Sequence, residues 1–257
     1  MPWDLGILLV GGMISGLLAG ILGIGGGSVL VPLMVSLGFT PIQAIGTSSL
    51  AILLTSLSGS VQNWRMGYIN WPKIGLLGLP ALFLAQIGAA LTQYLPAHWL
   101  LFGFAALMLI NIYLVGLKQQ LTGVKSSTPA TKQQKLLAGI LTGSLAGLVA
   151  GLVGVGGGAI MVPLQMLLLG ETIKVAIQTS LGVVVLTAIS ATIGHSLNGH
   201  VLFGQGIILG IGGLFGAQVG TRYLPKLPDT LVSNLFRLTL FLISIYSFIK
   251  GISISHR

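Results

Sequence analysis

The chain has no cysteine and only three acidic side chains in 257 residues. The first absence excludes disulfides and thiolate metal sites. The second leaves almost no carboxylate for acid–base catalysis or cation binding. Charge of either sign is scarce, at 6% of residues, against roughly 25% in a soluble domain. So few charges cannot cover a soluble surface of this size. No HExxH and no paired intramembrane aspartates are present; Asp4 and Asp229 lie at segment edges, and Glu171 reads as a solvated residue of a connection. An enzyme is not expected, nor any cofactor or metal.

What the chain has instead is apolar length. Hydrophobic residues make up 54%, and several uncharged runs exceed the ~18 residues that mark a membrane-spanning helix. The lipid bilayer is therefore the expected solvent. The stretch from Leu5 has no basic region before it and recurs in mid-chain, so it reads as a retained segment rather than a signal peptide. The formal charge of +9 is placed for topology: Lys118, Lys125, Lys132 and Lys135 share one polar linker, and most other Lys and Arg lie near segment ends. Nucleic acid is not an expected partner.

Glycine contributes 39 residues, twice its usual share of roughly 7%, and much of it falls in a duplicated pattern. Residues 16–32 read GLLAGILGIGGGSVLVP and residues 147–163 read GLVAGLVGVGGGAIMVP. The offset of 131 becomes 132 after one inserted residue, where Ala44, Ile45, Thr47 and Ser48 meet Ala176, Ile177, Thr179 and Ser180. Gly67 then meets Gly199, and Ala85, Gln86 and Gly88 meet Ala217, Gln218 and Gly220. The expected fold is an all-α polytopic membrane protein of two homologous four-segment repeats. Residues 1–117 form the first repeat, 118–135 a cytoplasmic linker and 136–257 the second repeat.

The opening segment of each repeat is too long for one simple span. Thirty-three residues of helix, as in 5–37, would reach roughly 50 Å against a ~30 Å hydrocarbon core. GIGGG and GVGGG break it, giving either a re-entrant hairpin or a broken spanning helix. A spanning opening segment makes the repeats parallel; a re-entrant one makes them inverted. With the linker cytoplasmic, the parallel arrangement leaves Lys174, Arg222, Lys226 and Arg237 outside, whereas inversion leaves only Lys250 and Arg257 there. Charge bias favours inversion.

The glycine turns are the leading site candidates. A half-helix that starts inside the membrane presents free backbone N–H groups and the positive end of its dipole, which suits an anion. The donors would be the N–H groups around Gly25, Gly26, Gly27 and Ser28, and around Gly156, Gly157, Gly158 and Ala159. Spaced glycines such as Gly16 and Gly20 fit helix packing instead. A nucleotide-binding loop is excluded, because no strand precedes the glycines and no GK[ST] follows them. Thr47, Ser48, Thr179 and Ser180 offer paired hydroxyls, against the plainer reading of bonds to their own helix. Gln86 and Gln218 offer amides, against interhelical bonding. His195 and its counterpart Asn63 close the second segments; His195 is a candidate proton relay or a wet loop residue. Arg237 lies about a turn inside the last segment, either functional or extended towards headgroups.

The paired GxxxGxGGGxxxxP turns and the A.GTS-type follow-up resemble the TauE/SafE sulfite-exporter family of anion permeases. Gly23, Gly25, Gly26, Gly27 and Pro32 carry the motif first; Gly154, Gly156, Gly157, Gly158 and Pro163 carry it again. Ala44, Gly46, Thr47 and Ser48 match the second-segment signature, from which the second copy departs with Gln178 in place of Gly46. The resemblance spans essentially the whole chain. It implies a permease of the plasma membrane, in bacteria the inner membrane. It also implies sulfite, sulfonate or another sulfur-containing or organic anion as substrate, and an H+ or Na+ gradient rather than ATP. A passive anion channel and a non-transporting scaffold subunit are the alternatives.

Overall fold

The computed structural model describes residues 2–121 and 131–255, and within them ten α-helices. In chain order these are α1 (Pro2–Leu22), α2 (Gly27–Ser36), α3 (Pro41–Arg65), α4 (Trp71–Thr92) and α5 (Ala97–Leu121). The second set is α6 (Lys132–Val153), α7 (Gly158–Leu168), α8 (Ile173–Leu197), α9 (Phe203–Tyr223) and α10 (Asp229–Ser255). Eight are long and apolar enough to cross a membrane, and α2 and α7 are the short ones. This is an integral membrane protein.

Local chemistry sets the helix starts. Thr40 and Gln43 form a reciprocal capping box before Pro41, and Thr131 with Gln134 repeats it before α6; each satisfies orphan N–H groups of a first turn. Asn70 and Thr172 cap α4 and α8. The polar linker is shorter than its composition suggests. Residues through Leu121 remain helical and α6 already begins at Lys132, because a capped helix start needs no apolar residues; 122–130 lie outside the described residues.

Helix directions decide how the opening segments run. Gly26 accepts a hydrogen bond from Ser15 Oγ, at 2.8 Å, and a Cβ on Gly11 would collide with Leu33. The half-helix α2 therefore runs back along α1: the opening segment is a re-entrant hairpin. Gly157 likewise folds back onto Ala146. Gly12, Gly16 and Gly20 of α1 meet Leu209, Gly213 and Ala217 of α9 in ascending order, so these helices run parallel. Gly143, Gly147 and Gly151 of α6 meet Leu77, Ala81 and Ala85 of α4 in the same way. Parallel contacts also join α3 to α9 and α4 to α8, whereas α3 and α8 are antiparallel, with Gly59 at Leu181 and Asn63 at Gln178. Hence α1, α3 and α9 point one way and α4, α6 and α8 the other. The two halves are inverted.

That arrangement gathers Arg65, Lys73, Lys132, Lys135, Lys174, Arg222 and Lys226 at the linker end, with Lys250 at the other. Glu171, expected to be solvated, is there paired with Lys73, and Asp229 with Lys174 at 3.2 Å. Both acidic groups sit between helix starts, where a neighbouring ammonium is within reach. Along the α1–α9 and α4–α6 seams, a Cβ on any of those glycines would strike the partner helix, most often its backbone. Without a hydrophobic drive between helices in lipid, such close backbone approach supplies the packing.

Candidate functional site

The glycine turns meet at the centre of the bundle. Gly25 and Gly156 both sit against Ile52 and Val184, close to the midpoints of α3 and α8. Each turn uses left-handed backbone at three matched positions: φ is 68, 75 and 83° at Gly23, Gly25 and Gly26, and 66, 79 and 79° at Gly154, Gly156 and Gly157. Residues with a Cβ adopt this region at a cost of roughly 1–2 kcal/mol each, which explains the glycines. Gly26 and Gly157 are the N-caps of α2 and α7, and neither helix start carries a side-chain capping bond. Two half-helix N-termini thus face each other in mid-bundle.

The facing is tight. A Cβ on Gly27 would collide with the Gly154 carbonyl, and one on Gly158 with the Gly23 carbonyl. The triplets therefore also serve close packing, of turn against turn, which spaced glycines alone do not reveal. Ser28 and Ala159, second in each half-helix, are fully buried, and Ser28 Oγ has no hydrogen-bond partner. Among the described residues, no Asp, Glu, Lys or Arg is buried.

The paired hydroxyls are brought to the turns and the neighbouring connection, in several roles. Ser48 Oγ donates to the Gly154 carbonyl at 3.0 Å and lies 2.9 Å from that of Ile45. Thr47 Oγ1 accepts from the Leu202 N–H at 3.0 Å and so holds the start of α9. Ser180 Oγ accepts from Gln165 Nε2 at 3.1 Å. Thr179 is buried nearby on α8. The amides are elsewhere. Gln86 is exposed on the outer face and its Oε1 accepts from Ser190 Oγ at 3.4 Å, while Gln218 Nε2 reaches the Ser58 carbonyl at 3.5 Å. They bind helix to helix along the α4–α8 and α9–α3 seams, rather than between the turns.

His195 is not a wet loop residue. It is fully buried, with Nε2 at 2.9 Å from the Gly151 carbonyl, because the end of α6 reaches across to the end of α8. Asn63, its counterpart, is also buried and donates to the Gln178 carbonyl at 3.5 Å. Arg237 is half-buried in a groove between α5 and α10 with Ile112, Asn234 and Phe241, away from the turns. Three contributors were missed: Ser15, which holds the Gly26 carbonyl, Thr187, which holds that of Gly156 at 2.9 Å, and Gln165. Thr55 and Thr187 match at the 132 offset, and Gln165 interrupts an apolar run, so two of these had a visible signal. Ser15 aligns with Ala146 at the 131 offset and had none.

Comparison with known proteins places this geometry. The family described as Sulfite exporter TauE/SafE matches residues 8–247. The chain is 28% identical over 272 residues to the Probable membrane transporter protein YunE of Bacillus subtilis, covering 96% of this chain and 98% of that protein. It is 30% identical over 233 residues to the Probable membrane transporter protein YdhB of the same organism, covering 87% and 92%. A Sulfite exporter TauE/SafE family protein 6 of Arabidopsis thaliana is 28% identical over 111 residues, covering 43% of this chain and 24% of that protein. The inverted hairpins, the paired glycine turns and a match across nearly the whole chain identify a membrane transporter that belongs to the TauE/SafE sulfite exporter family.

Proposed function

We propose that the protein is a secondary carrier of small anions, held where the N-termini of α2 and α7 face each other. The substrate class is sulfite, a sulfonate or a related sulfur-containing or organic anion. One observation carries this reading: two half-helices start at the bundle centre from glycine N-caps that offer backbone N–H groups and no capping side chain. The dipoles there favour negative charge. The buried surroundings hold hydroxyls but no acidic group to repel an anion. With no buried lysine or arginine among the described residues either, the anion is bound weakly enough to leave. Ser15, Ser48 and Thr187 act as positioning residues, because their hydroxyls fix turn carbonyls away from the substrate. The close contact between the turns corresponds to a closed state, in which the site opens as the hairpins part.

The test is flux into proteoliposomes with 35S-labelled sulfite, sulfate, thiosulfate and sulfoacetate. A carrier gives saturable uptake that is accelerated by the same anion loaded inside. Uptake that rises linearly with concentration and shows no such exchange would contradict the carrier reading. No uptake of any of the four would contradict the substrate class.

A further inference from the structure

The geometry points to His195 as the proton-binding group of a proton-coupled anion cycle, with His200 as its contact to solvent. This rests on the carrier reading above and adds the coupling ion. In the last turns of α8, His195 Nε2 lies 2.9 Å from the Gly151 carbonyl. A carbonyl only accepts, so Nε2 carries the hydrogen, and neutral His195 keeps a bare lone pair on Nδ1. That Nδ1 is buried and has no partner. Nδ1 is therefore the ring position that takes a proton without breaking the bond to Gly151.

The surroundings suit a charge that comes and goes. From α6 the ring meets the Gly151 carbonyl, one of the last of that helix, where the dipole favours a cation. From α4 the Thr92 hydroxyl donates to the same carbonyl at 3.3 Å. From the α8–α9 connection it meets His200, with ring centroids 5.9 Å apart. Glu171 and Asp229 are held by Lys73 and Lys174, at the opposite end of α8, so no described carboxylate pins the proton. His200 is half-buried, and its backbone N–H is bonded to the His195 carbonyl at 2.9 Å. Burial pushes its basicity below the ordinary imidazole value.

The link to the substrate is structural. Gly151 lies in the final turn of α6, and the chain reaches the α7 N-cap at Gly157. A positive ring on the one and an anion on the other attract, so each raises the other's occupancy. The arrangement is one-sided. At the linker end, the 132 offset puts Asn63, Tyr68 and Leu224 in place of His195, His200 and Thr92. Of these two sets of matched positions, the histidines lie at the end away from the linker.

The experiment uses full-length protein in proteoliposomes, with the membrane potential clamped at zero by potassium and valinomycin. The probe is whichever of sulfate, thiosulfate or sulfoacetate exchanges fastest. One proton per anion under a gradient of about one pH unit, acid outside, sustains about tenfold accumulation. Wild-type protein is expected to accumulate the anion and acidify the lumen in step. His195→Gln keeps an amide donor for Gly151; it is expected to lose accumulation and proton movement while anion exchange stays measurable. His200→Gln is expected to slow accumulation without lowering its final level. Wild-type exchange without any response to the gradient overturns the inference and leaves the carrier standing. So does gradient-driven accumulation that survives in His195→Gln. Failure of every anion to exchange overturns the carrier reading and this inference with it.

Discussion

The two glycine turns share one backbone path and are held by different side chains. Their φ values agree within about ten degrees at each matched position, yet the bonds around them do not match. Ser15 secures the first turn through the Gly26 carbonyl, where the second has Ala146. Thr187 secures the second through Gly156 at 2.9 Å, whereas Thr55 bonds back to Ala51 in its own helix at 2.8 Å. Ser48 holds Gly154, while its counterpart Ser180 takes a bond from Gln165. Glycine and steric fit therefore set the symmetric path; hydroxyls and amides then make the two faces unequal. A transporter needs both properties, since a twofold frame gives two equivalent openings and unequal decoration tells them apart.

The largest expected effect breaks what the turns share. Gly27→Ala and Gly158→Ala each push a Cβ into a carbonyl of the opposite turn. Neither backbone can retreat, so both variants should lose about 3 kcal/mol or more, read as similar drops in thermal midpoint in detergent. Unequal drops would show that the turns are not packed equivalently.

The next effect sharpens the difference. Gly26→Ala and Gly157→Ala share the left-handed cost of roughly 1–2 kcal/mol. The new Cβ on Gly157 also meets the Ala146 backbone carbonyl, whereas that on Gly26 meets Ser15 Oγ, which can rotate away. Gly157→Ala should therefore be the more damaging, and adding Ser15→Ala should relieve part of the Gly26→Ala defect. Equal losses would remove the asymmetry from the account.

How much of this was legible depended on the residue. Triplets such as Gly25–Gly27 read as chain breaks because no helix interior chooses them, and the break is there. Hairpin and broken span were equally compatible with an opening segment of that length; the lysines and arginines favoured the inverted arrangement that the helix directions display. Gln86 bonds between helices, the plainer of its two readings; its outward position was not legible because a membrane helix is apolar on its lipid-facing side as well as its packed side. The burial of His195 was not legible because it depends on the end of α6, a contact between segments far apart in sequence. Ser15 lay in a run that also packs, and its bond exists only because the chain doubles back.

Smaller effects follow the side chains. Thr187→Val removes the donor to a buried turn carbonyl and should cost about 1–3 kcal/mol, while Thr55→Val should change stability little, since that hydroxyl only bonds its own helix. Chemical denaturation of both, compared at one detergent concentration, checks the sign of the difference. Smallest of all, Glu171→Gln breaks a partly exposed pair with Lys73 and should cost no more than about 1 kcal/mol. Raising the salt concentration should shrink that loss further.

The most direct test of the anion site compares turn glycines with a seam glycine. Gly26→Ala, Gly157→Ala and Gly16→Ala are reconstituted, and 35S anion exchange is normalised to folded protein. Gly16 packs against Gly213 of α9 and lies outside the turns. The account predicts that Gly16→Ala loses folded protein but keeps its exchange per folded molecule. It predicts that Gly26→Ala and Gly157→Ala lose about tenfold or more per folded molecule, the equivalent of about 1.4 kcal/mol. Near-normal specific exchange in both turn variants would contradict an anion site at the half-helix N-termini.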